Sequence, residues 1–344
     1  MTGRAQTAGR GPRPRVTSKK PFIWVALLLQ ALPLAPSRAA DLRGAAGHPA
    51  AAVLVGTEGR ILFSASAQHR QFFAASVPAG TGDLFDVVWI ENLNSFVAVG
   101  AAGEILVSSS NIGNAWSERP SGVGADLRGV GEFAASTTFA VAVGSGGTIV
   151  RSASPELGGW QEEASPTGEG LWDVVQGSSV SVSVGENGTI LKGSRNGTGW
   201  VSVASPVTAD LLAVTVESQG NFIAVGEDGV ILRGLGDGVT WIVIDEPASN
   251  VTLHDVVGLD FNPPSVAVGA GGKLMISTST GLQWSDVETT TASNLRAVAF
   301  TGTDFVACGD AESVVWSAAG FAWEDVTALA PTSWGRIKND FLRR

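Results

Sequence analysis

Seven leucines, Leu42, Leu84, Leu127, Leu171, Leu211, Leu253 and Leu295, are each followed at once by a residue that changes from copy to copy: Arg43, Phe85, Arg128, Trp172, Leu212, His254 and Arg296. Arginine among aromatic residues is the composition that dominates recognition hot spots. A guanidinium also grips a carboxylate through two parallel hydrogen bonds, which an ammonium cannot do. The register therefore reads as a partner-binding ring, with Arg43, Phe85, Arg128, Trp172, His254 and Arg296 as its working members. The competing reading is a filled funnel whose bases pair with the neighbouring Asp86, Asp173 and Asp255. Those aspartates stand in an L-x-D-V frame, where bonding to adjacent backbone is the expected duty. A second basic register, Arg151, Lys192 and Arg233, recurs in three consecutive copies four residues after a glycine. It is the alternative docking stripe, on the opposite face, against the plainer reading of solvated strand ends.

No catalytic constellation accompanies these registers. The 344 residues include no tyrosine, one cysteine and three histidines, so every mechanism that needs a phenol is excluded. His48, His69 and His254 lie in different copies or loops without metal-ligand spacing, and a single cysteine allows neither an internal disulfide nor a zinc cluster. Cys308 stands where the other copies have Val55, Val99, Val143, Val184, Val225 and Val268, and reads as a small buried apolar group. The stretches GSGG at 144–147 and GAGGK at 269–273 look like phosphate loops. Leu274 stands where Ser or Thr would be needed, no helix follows, and the same glycines recur in the other copies. The chain is accordingly read as non-enzymatic, with no cofactor and no metal.

The elements that must position the ring follow from the repeat itself. The leucines are spaced by 42, 43, 44, 40, 42 and 42 residues. The common order is L-x-x-V, with Ala45 for the valine in the first copy, then an apolar stretch ending V-G-x-x-G, then a short stretch of the I-L-x-S type, then a Trp. The first glycine is Gly56, Gly100, Gly144, Gly185, Gly226, Gly269 or Gly309. The second is Gly59, Gly103, Gly147, Gly188, Gly229 or Gly272, and Glu312 replaces it in the seventh copy. Two glycines three apart between β-branched runs predict a tight hairpin that uses positive φ, and so the weakest hairpin is expected in the seventh copy. Runs such as TTFAVAVG at 137–144 and NFIAVG at 221–226 are apolar nearly throughout, without the alternation of a half-exposed sheet, as in strands covered on both faces. Four short strands per copy, here A to D outward from an axis, cannot bury two faces alone. Stacked radially they make an all-β, seven-bladed β-propeller of four-stranded antiparallel blades. The expected blades are 41–82, 83–125, 126–169, 170–209, 210–251, 252–293 and 294–328. Trp116, Trp160, Trp200, Trp241, Trp284 and Trp323, with Phe72 in the first copy, are expected to pack between blades.

SSNIGNAW at 109–116 and STSTGLQW at 277–284 are similar to degenerate Asp-boxes, with Asn111 and Ser279 in the aspartate position. Together with L-x-D-V, A-V-G-x-x-G-x-I-L and G-x-x-W, they make 41–328 resemble the photosystem II stability/assembly factor family. That resemblance implies an exported seven-bladed propeller acting as a chaperone-like, protein-binding scaffold for a membrane complex. Asp-boxes also occur in sialidase-type propellers, and Arg43, Arg128 and Arg296 mimic a sialidase arginine trio. The absent tyrosine nucleophile excludes that enzyme. The rival functions are a glycan-binding or atypical glycoside hydrolase propeller using two carboxylates, and a structural periplasmic or cell-surface interaction module.

The ends of the chain differ from the body. Positions 1–40 hold seven Lys or Arg and no acid; the remainder has fifteen bases against 32 acids, a balance of -17. Such a body repels a phosphate backbone, so no nucleic-acid partner is expected. Arg4, Arg10, Arg13, Arg15, Lys19 and Lys20 precede the 14-residue apolar run FIWVALLLQALPLA at 22–35 and then PSRAA, the order of a secretory signal peptide. The run is shorter than the roughly 20 residues that span a bilayer. A retained anchor is the alternative, and membrane contact would then pass through the leader alone. SKKPFI at 18–23 resembles a twin-arginine signal with lysines in place of the pair. Residues 329–344 form a basic tail with Arg336, Lys338, Arg343 and Arg344. Asn187, Asn196 and Asn250 head glycosylation sequons, relevant only in a eukaryotic secretory route. The expectation is a monomeric propeller in the periplasm or thylakoid lumen, or outside the cell, that binds a protein partner.

Overall fold

Apolar stretches of five to seven residues bounded by glycine build the second strand of each unit, and burial on both faces is what their composition demands. In a computed structural model these stretches are Ala51–Gly56, Ser95–Gly100, Thr138–Gly144, Val180–Gly185, Phe222–Gly226, Ser265–Gly269 and Phe305–Gly309. The structure describes residues 39–326, apart from 66–69, 135–137, 154–157, 218, 245–249 and 260–263. Most of the leader, the basic tail and His69 lie outside the described residues.

The strands form seven separate four-stranded antiparallel sheets, each made of strands consecutive in the chain and ordered A-B-C-D. The A strands are Leu42–His48, Leu84–Ile90, Leu127–Ala134, Leu171–Gln176, Leu211–Val216, Leu253–Val257 and Leu295–Phe300. Each packs beside the A strand of the next blade, and the last beside the first, so they close a ring around the axis. The fold is a seven-bladed β-propeller. Among the described residues no helix is long and apolar enough to cross a membrane.

The core is divided among the joints between blades. Trp116 at the start of strand D in blade 2 packs with Val53 and Phe63 of blade 1. Trp160, Trp200, Trp241, Trp284 and Trp323 repeat the arrangement against Val97, Val141, Val182, Ile223 and Val266 of the preceding blades. Phe72 completes the set, packing with Val306 and Cys308 of blade 7. The indole N–H groups of Trp116, Trp200, Trp241, Trp284 and Trp323 donate to the carbonyl three residues back, at 2.7–3.3 Å, so the polar edges of these five rings are satisfied, whereas the buried N–H of Trp160 has no acceptor. Strand D is only two or three residues long, which blunts the outer edge against pairing with other chains. Blades 4 and 5 carry exposed apolar side chains on this edge, Val201 in the one and Ile242 and Val243 in the other.

The two glycines of V-G-x-x-G serve different purposes, which corrects the sequence expectation of a shared positive φ. The first is extended, and its missing Cβ admits the carbonyl of the residue before the opening leucine. A Cβ on Gly144 would lie 1.9 Å from the Asp126 oxygen, and one on Gly309 would lie 1.8 Å from that of Asn294. The next N–H then bonds that same oxygen, as Ser145 does with Asp126 at 2.9 Å. The second glycine does have positive φ, as in Gly147 at 74°, and also lies beneath the linker to the next blade, where a Cβ would meet the Thr167 oxygen at 2.2 Å.

Glu312 occupies that second position in blade 7, which faces blade 1 across the seam of the ring. The turn keeps its form, with Gly309 N–H bonded to Ser313 O at 3.0 Å and Glu312 itself left-handed at φ 54°. Its side chain pairs with Arg60 of blade 1 at 2.7 Å. The seventh hairpin, with its left-handed Glu312, therefore also serves as a closing contact of the ring.

The channel mouth as candidate functional site

The opening leucine pairs with the first glycine of the turn, and the residue two places later pairs with the valine before that glycine. The pattern holds in every blade: Leu42 with Gly56 and Gly44 with Val55, through to Leu295 with Gly309 and Ala297 with Cys308. One residue on strand A is thus extra in all seven ladders. Those seven are Arg43, Phe85, Arg128, Trp172, Leu212, His254 and Arg296. A β-bulge leaves its extra residue out of the pairing and re-aims the side chain. Because the A strands are neighbours around the axis, the seven positions form a ring at the end of the channel where the V-G-x-x-G turns lie.

Neighbouring ring members touch across blades. The Arg43 guanidinium lies 5.3 Å from the Phe85 ring centre, and that of Arg128 lies 4.0 Å from Trp172. His254 Nδ1 is 2.8 Å from the carbonyl of Leu295. A carbonyl only accepts, so the hydrogen is on Nδ1 and Nε2 is left as the acceptor of the neutral ring. Burial pulls the His254 pKa below its usual value, more than the bond to Leu295 raises it. The Trp172 indole N–H is enclosed and has no acceptor.

Each arginine of the ring also holds a carboxylate: Arg43 with Asp83 at 3.4 Å, Arg128 with Glu186 at 2.7 Å, and Arg296 with Asp310 through both of its oxygens. The Arg128 hydrogen bond, with one from Gly170 N–H, holds Glu186 below the ordinary glutamate range. At Asp310 partial burial works upward, and the bonds from Arg296 and Asn294 outweigh it to leave a lowered pKa. The guanidinium planes are therefore oriented before any ligand arrives, which reduces the ordering cost of binding.

Asp86, Asp173 and Asp255, weighed in the sequence as partners of these bases, are engaged elsewhere. One oxygen of each accepts the next N–H of its own strand, Val87, Val174 or Val256, at 2.6–2.7 Å. The other accepts an N–H of the following blade, Val130, Val214 or Val298, at 2.7–2.8 Å. Each stitches two blades together beneath the mouth. Burial raises all three carboxyls, Asp86 to about 7, Asp255 to about 6 and Asp173 well above the usual value; Asp86 also repels Asp173. The same register in the other blades holds Gly44, Gly129, Ala213 and Ala297, where small residues leave room. A Cβ on Gly129 would lie 2.7 Å from Asp173 Cα.

The second basic register reaches toward the next blade. Arg151 Nε donates to the Asn196 carbonyl at 2.9 Å, and Arg233 Nε to that of Thr280 at 3.1 Å. Arg233 also pairs at 2.7 Å with Glu217, which is 1% exposed. The stem of Lys192 runs beneath Gly238 of the following turn. A further set of residues escaped sequence reasoning: Asp41, Asp83, Asp126, Asp210 and Asn294 cap turn N–H groups of the preceding blade at 2.8–3.1 Å. Their signal was the repeated acid one place before the opening leucine. Among the described residues, no three His, Cys, Asp or Glu side chains are placed to hold a metal ion.

No family model matches the chain, and no curated protein matches it in sequence. Solved structures do. YCF48 from Cyanidioschyzon merolae is similar at a TM-score of 0.63 and 14% identity, over 82% of this chain and 96% of that one. A structure described as YCF48 bound to D1 peptide is similar at 0.64 and 16% identity, over 82% of this chain and 94% of that one. The likeness is one of fold. At these identities it carries the seven-bladed architecture and leaves the ring residues to be judged on their own contacts.

Proposed function

We propose that this chain is an exported, non-enzymatic scaffold that holds a partner polypeptide at the channel mouth, in the manner of photosystem II assembly factors. The observation that carries this reading is the ring of seven bulged side chains, in which two arginines lie over aromatic neighbours. Such planar, pre-oriented donors suit carboxylates and backbone carbonyls of an extended segment. The buried indole N–H of Trp172 adds an unused donor beside Arg128. The similar structure of YCF48 with D1 peptide supports peptide binding as a use of this fold.

Arg151, Lys192 and Arg233 are the less favoured docking surface, because Arg151 and Arg233 are more deeply buried, at 18% and 12% exposed, than the ring arginines at 21–35%. The test is capture of exported polypeptides from the native compartment by the propeller and by the variant Arg43→Ala/Arg128→Ala/Arg296→Ala. Loss of capture with an unchanged melting curve is the expected result. Capture that survives moves the site to Arg151, Lys192 and Arg233. A source organism without photosystem II would end the assembly role and leave peptide binding standing.

A further inference from the structure

We infer that export processing cuts this chain between Ala39 and Ala40, so that the mature protein keeps Ala40 as a working part of ring closure. The inference rests on the export half of the proposed function and is independent of what the channel mouth binds.

The geometry at the joint between blades 7 and 1 supplies the first reason. The Glu312 N–H donates to the Ala40 carbonyl at 2.9 Å. Next to it, Asp41 accepts the Ala311 N–H on its carboxylate at 3.1 Å and donates its own N–H to Thr57 Oγ1 at 3.0 Å. The Asp41 carbonyl accepts from Thr57 N–H at 3.0 Å. A cut after Ala40 would remove the acceptor of Glu312, in a turn where both Ala311 and Glu312 are left-handed at φ 57° and 54°. A cut after Ala39 keeps every one of these bonds.

The recognition chemistry of the leader gives the same position independently. A leader-removing peptidase requires small side chains one and three residues before the cut. Cutting after Ala39 presents Ala39 and Ser37 there; cutting after Ala40 presents Ala40 and the long, charged Arg38. The step is hydrolysis. Water adds to the Ala39 carbonyl carbon, the Ala39–Ala40 C–N bond breaks, Ala39 leaves as a carboxylate on the leader, and the Ala40 nitrogen departs as an ammonium. This positive terminus then stands beside the acidic turn Asp310–Glu312.

The full chain should be expressed with its leader in an exporting bacterium and the product weighed intact. A mass beginning at Ala40 is expected; an uncut chain, or one beginning at Asp41 or elsewhere, overturns the inference. Ala39→Leu should accumulate precursor while Ala40→Leu is processed normally, and the reverse pattern points to a cut after Ala40. The structural half has its own readout. Chains beginning at Ala40 should melt about 2 °C above chains beginning at Asp41, and equal melting temperatures would remove the role given to Ala40. Failure here leaves peptide capture by the purified propeller untouched, so the two readings fall separately.

Discussion

Ala311 in the last blade donates its backbone N–H to the carboxylate of Asp41 in the first, at 3.1 Å and across 270 positions of chain. The bond belongs to a set. Asp83 accepts from Glu58, Asp126 from Ala102, Asp210 from Asn187 and Asn294 from Gly271 in the same way, each from the blade before. Among the described residues no strand is shared between the first and last blades. The ring therefore closes with the joint it uses between its other blades, reinforced by Arg60–Glu312.

If the seam is an ordinary joint, Asp41→Ala and Asp126→Ala should cost similar amounts, about 1–2 kcal/mol each, as expected for losing a charge-assisted cap. Urea unfolding followed by tryptophan fluorescence measures both. A loss at Asp41 several times larger than at Asp126 would show that closure is the weak step of the ring.

The glycines separate close approach from backbone freedom. Gly144→Ala drives a Cβ into the Asp126 carbonyl and should cost about 2–3 kcal/mol, the scale of overpacking. Gly122→Ala, at φ 84° with nothing near its missing Cβ, should cost only about 1 kcal/mol of left-handed backbone strain. Equal losses in thermal unfolding would mean that the carbonyl contact at Gly144 relaxes readily.

The sequence carried what is periodic and local. The seven copies, four strands each and the tryptophans between blades all come from spacing and burial demand. The aspartates of L-x-D-V were expected to bond nearby backbone, and Val87, Val174 and Val256 meet that expectation. Their second bonds, to Val130, Val214 and Val298, depend on the neighbouring blade and have no local signature. A trace was present: Gly44, Asp86, Gly129, Asp173, Ala213, Asp255 and Ala297 alternate small and acidic residues, and an odd number of blades leaves Ala297 beside Gly44 at the seam. The first glycine of the turn was misread because composition shows a missing Cβ without showing whether φ or a neighbouring carbonyl requires it. The bulge that singles out Arg43 and its counterparts was equally hidden, since it appears only once strands A and B are in register.

The stitching carboxylates set the sign of the pH response. Asp86 and Asp255 rise from 3.8 in the open chain to about 7 and about 6, so between roughly pH 4 and 7 the folded protein binds protons that the unfolded chain does not. Stability should be greatest at the acid end of that window and fall as pH rises through 6 to 7. His254 opposes this, because its lowered pKa makes protonation unfavourable to the fold, but it is one group against three. The urea midpoint should be higher at pH 5 than at pH 8, and Asp86→Asn should flatten the slope. A midpoint that climbs with pH across this range would contradict the burial assigned to these groups.

The stacking of Arg128 on Trp172 gives the ring its sharpest test. Lysine at position 128 keeps the charge and can still reach toward Glu186, but it loses the plane that lies 4.0 Å from the indole. Affinity for the captured polypeptide should fall about tenfold in Arg128→Lys, the scale of a cation–π contact. Removing both partners in Arg128→Ala/Trp172→Ala should cost less than the sum of the single changes, because each single variant already loses the shared contact. Leu212→Ala, at the same register without charge or aromatic ring, should change affinity by less than about 0.5 kcal/mol. Fluorescence anisotropy of the labelled ligand reads all five variants. Strictly additive losses at 128 and 172 would mean that the two side chains act on the ligand independently, and unchanged affinity in every one of these variants would mean that the ligand lies elsewhere.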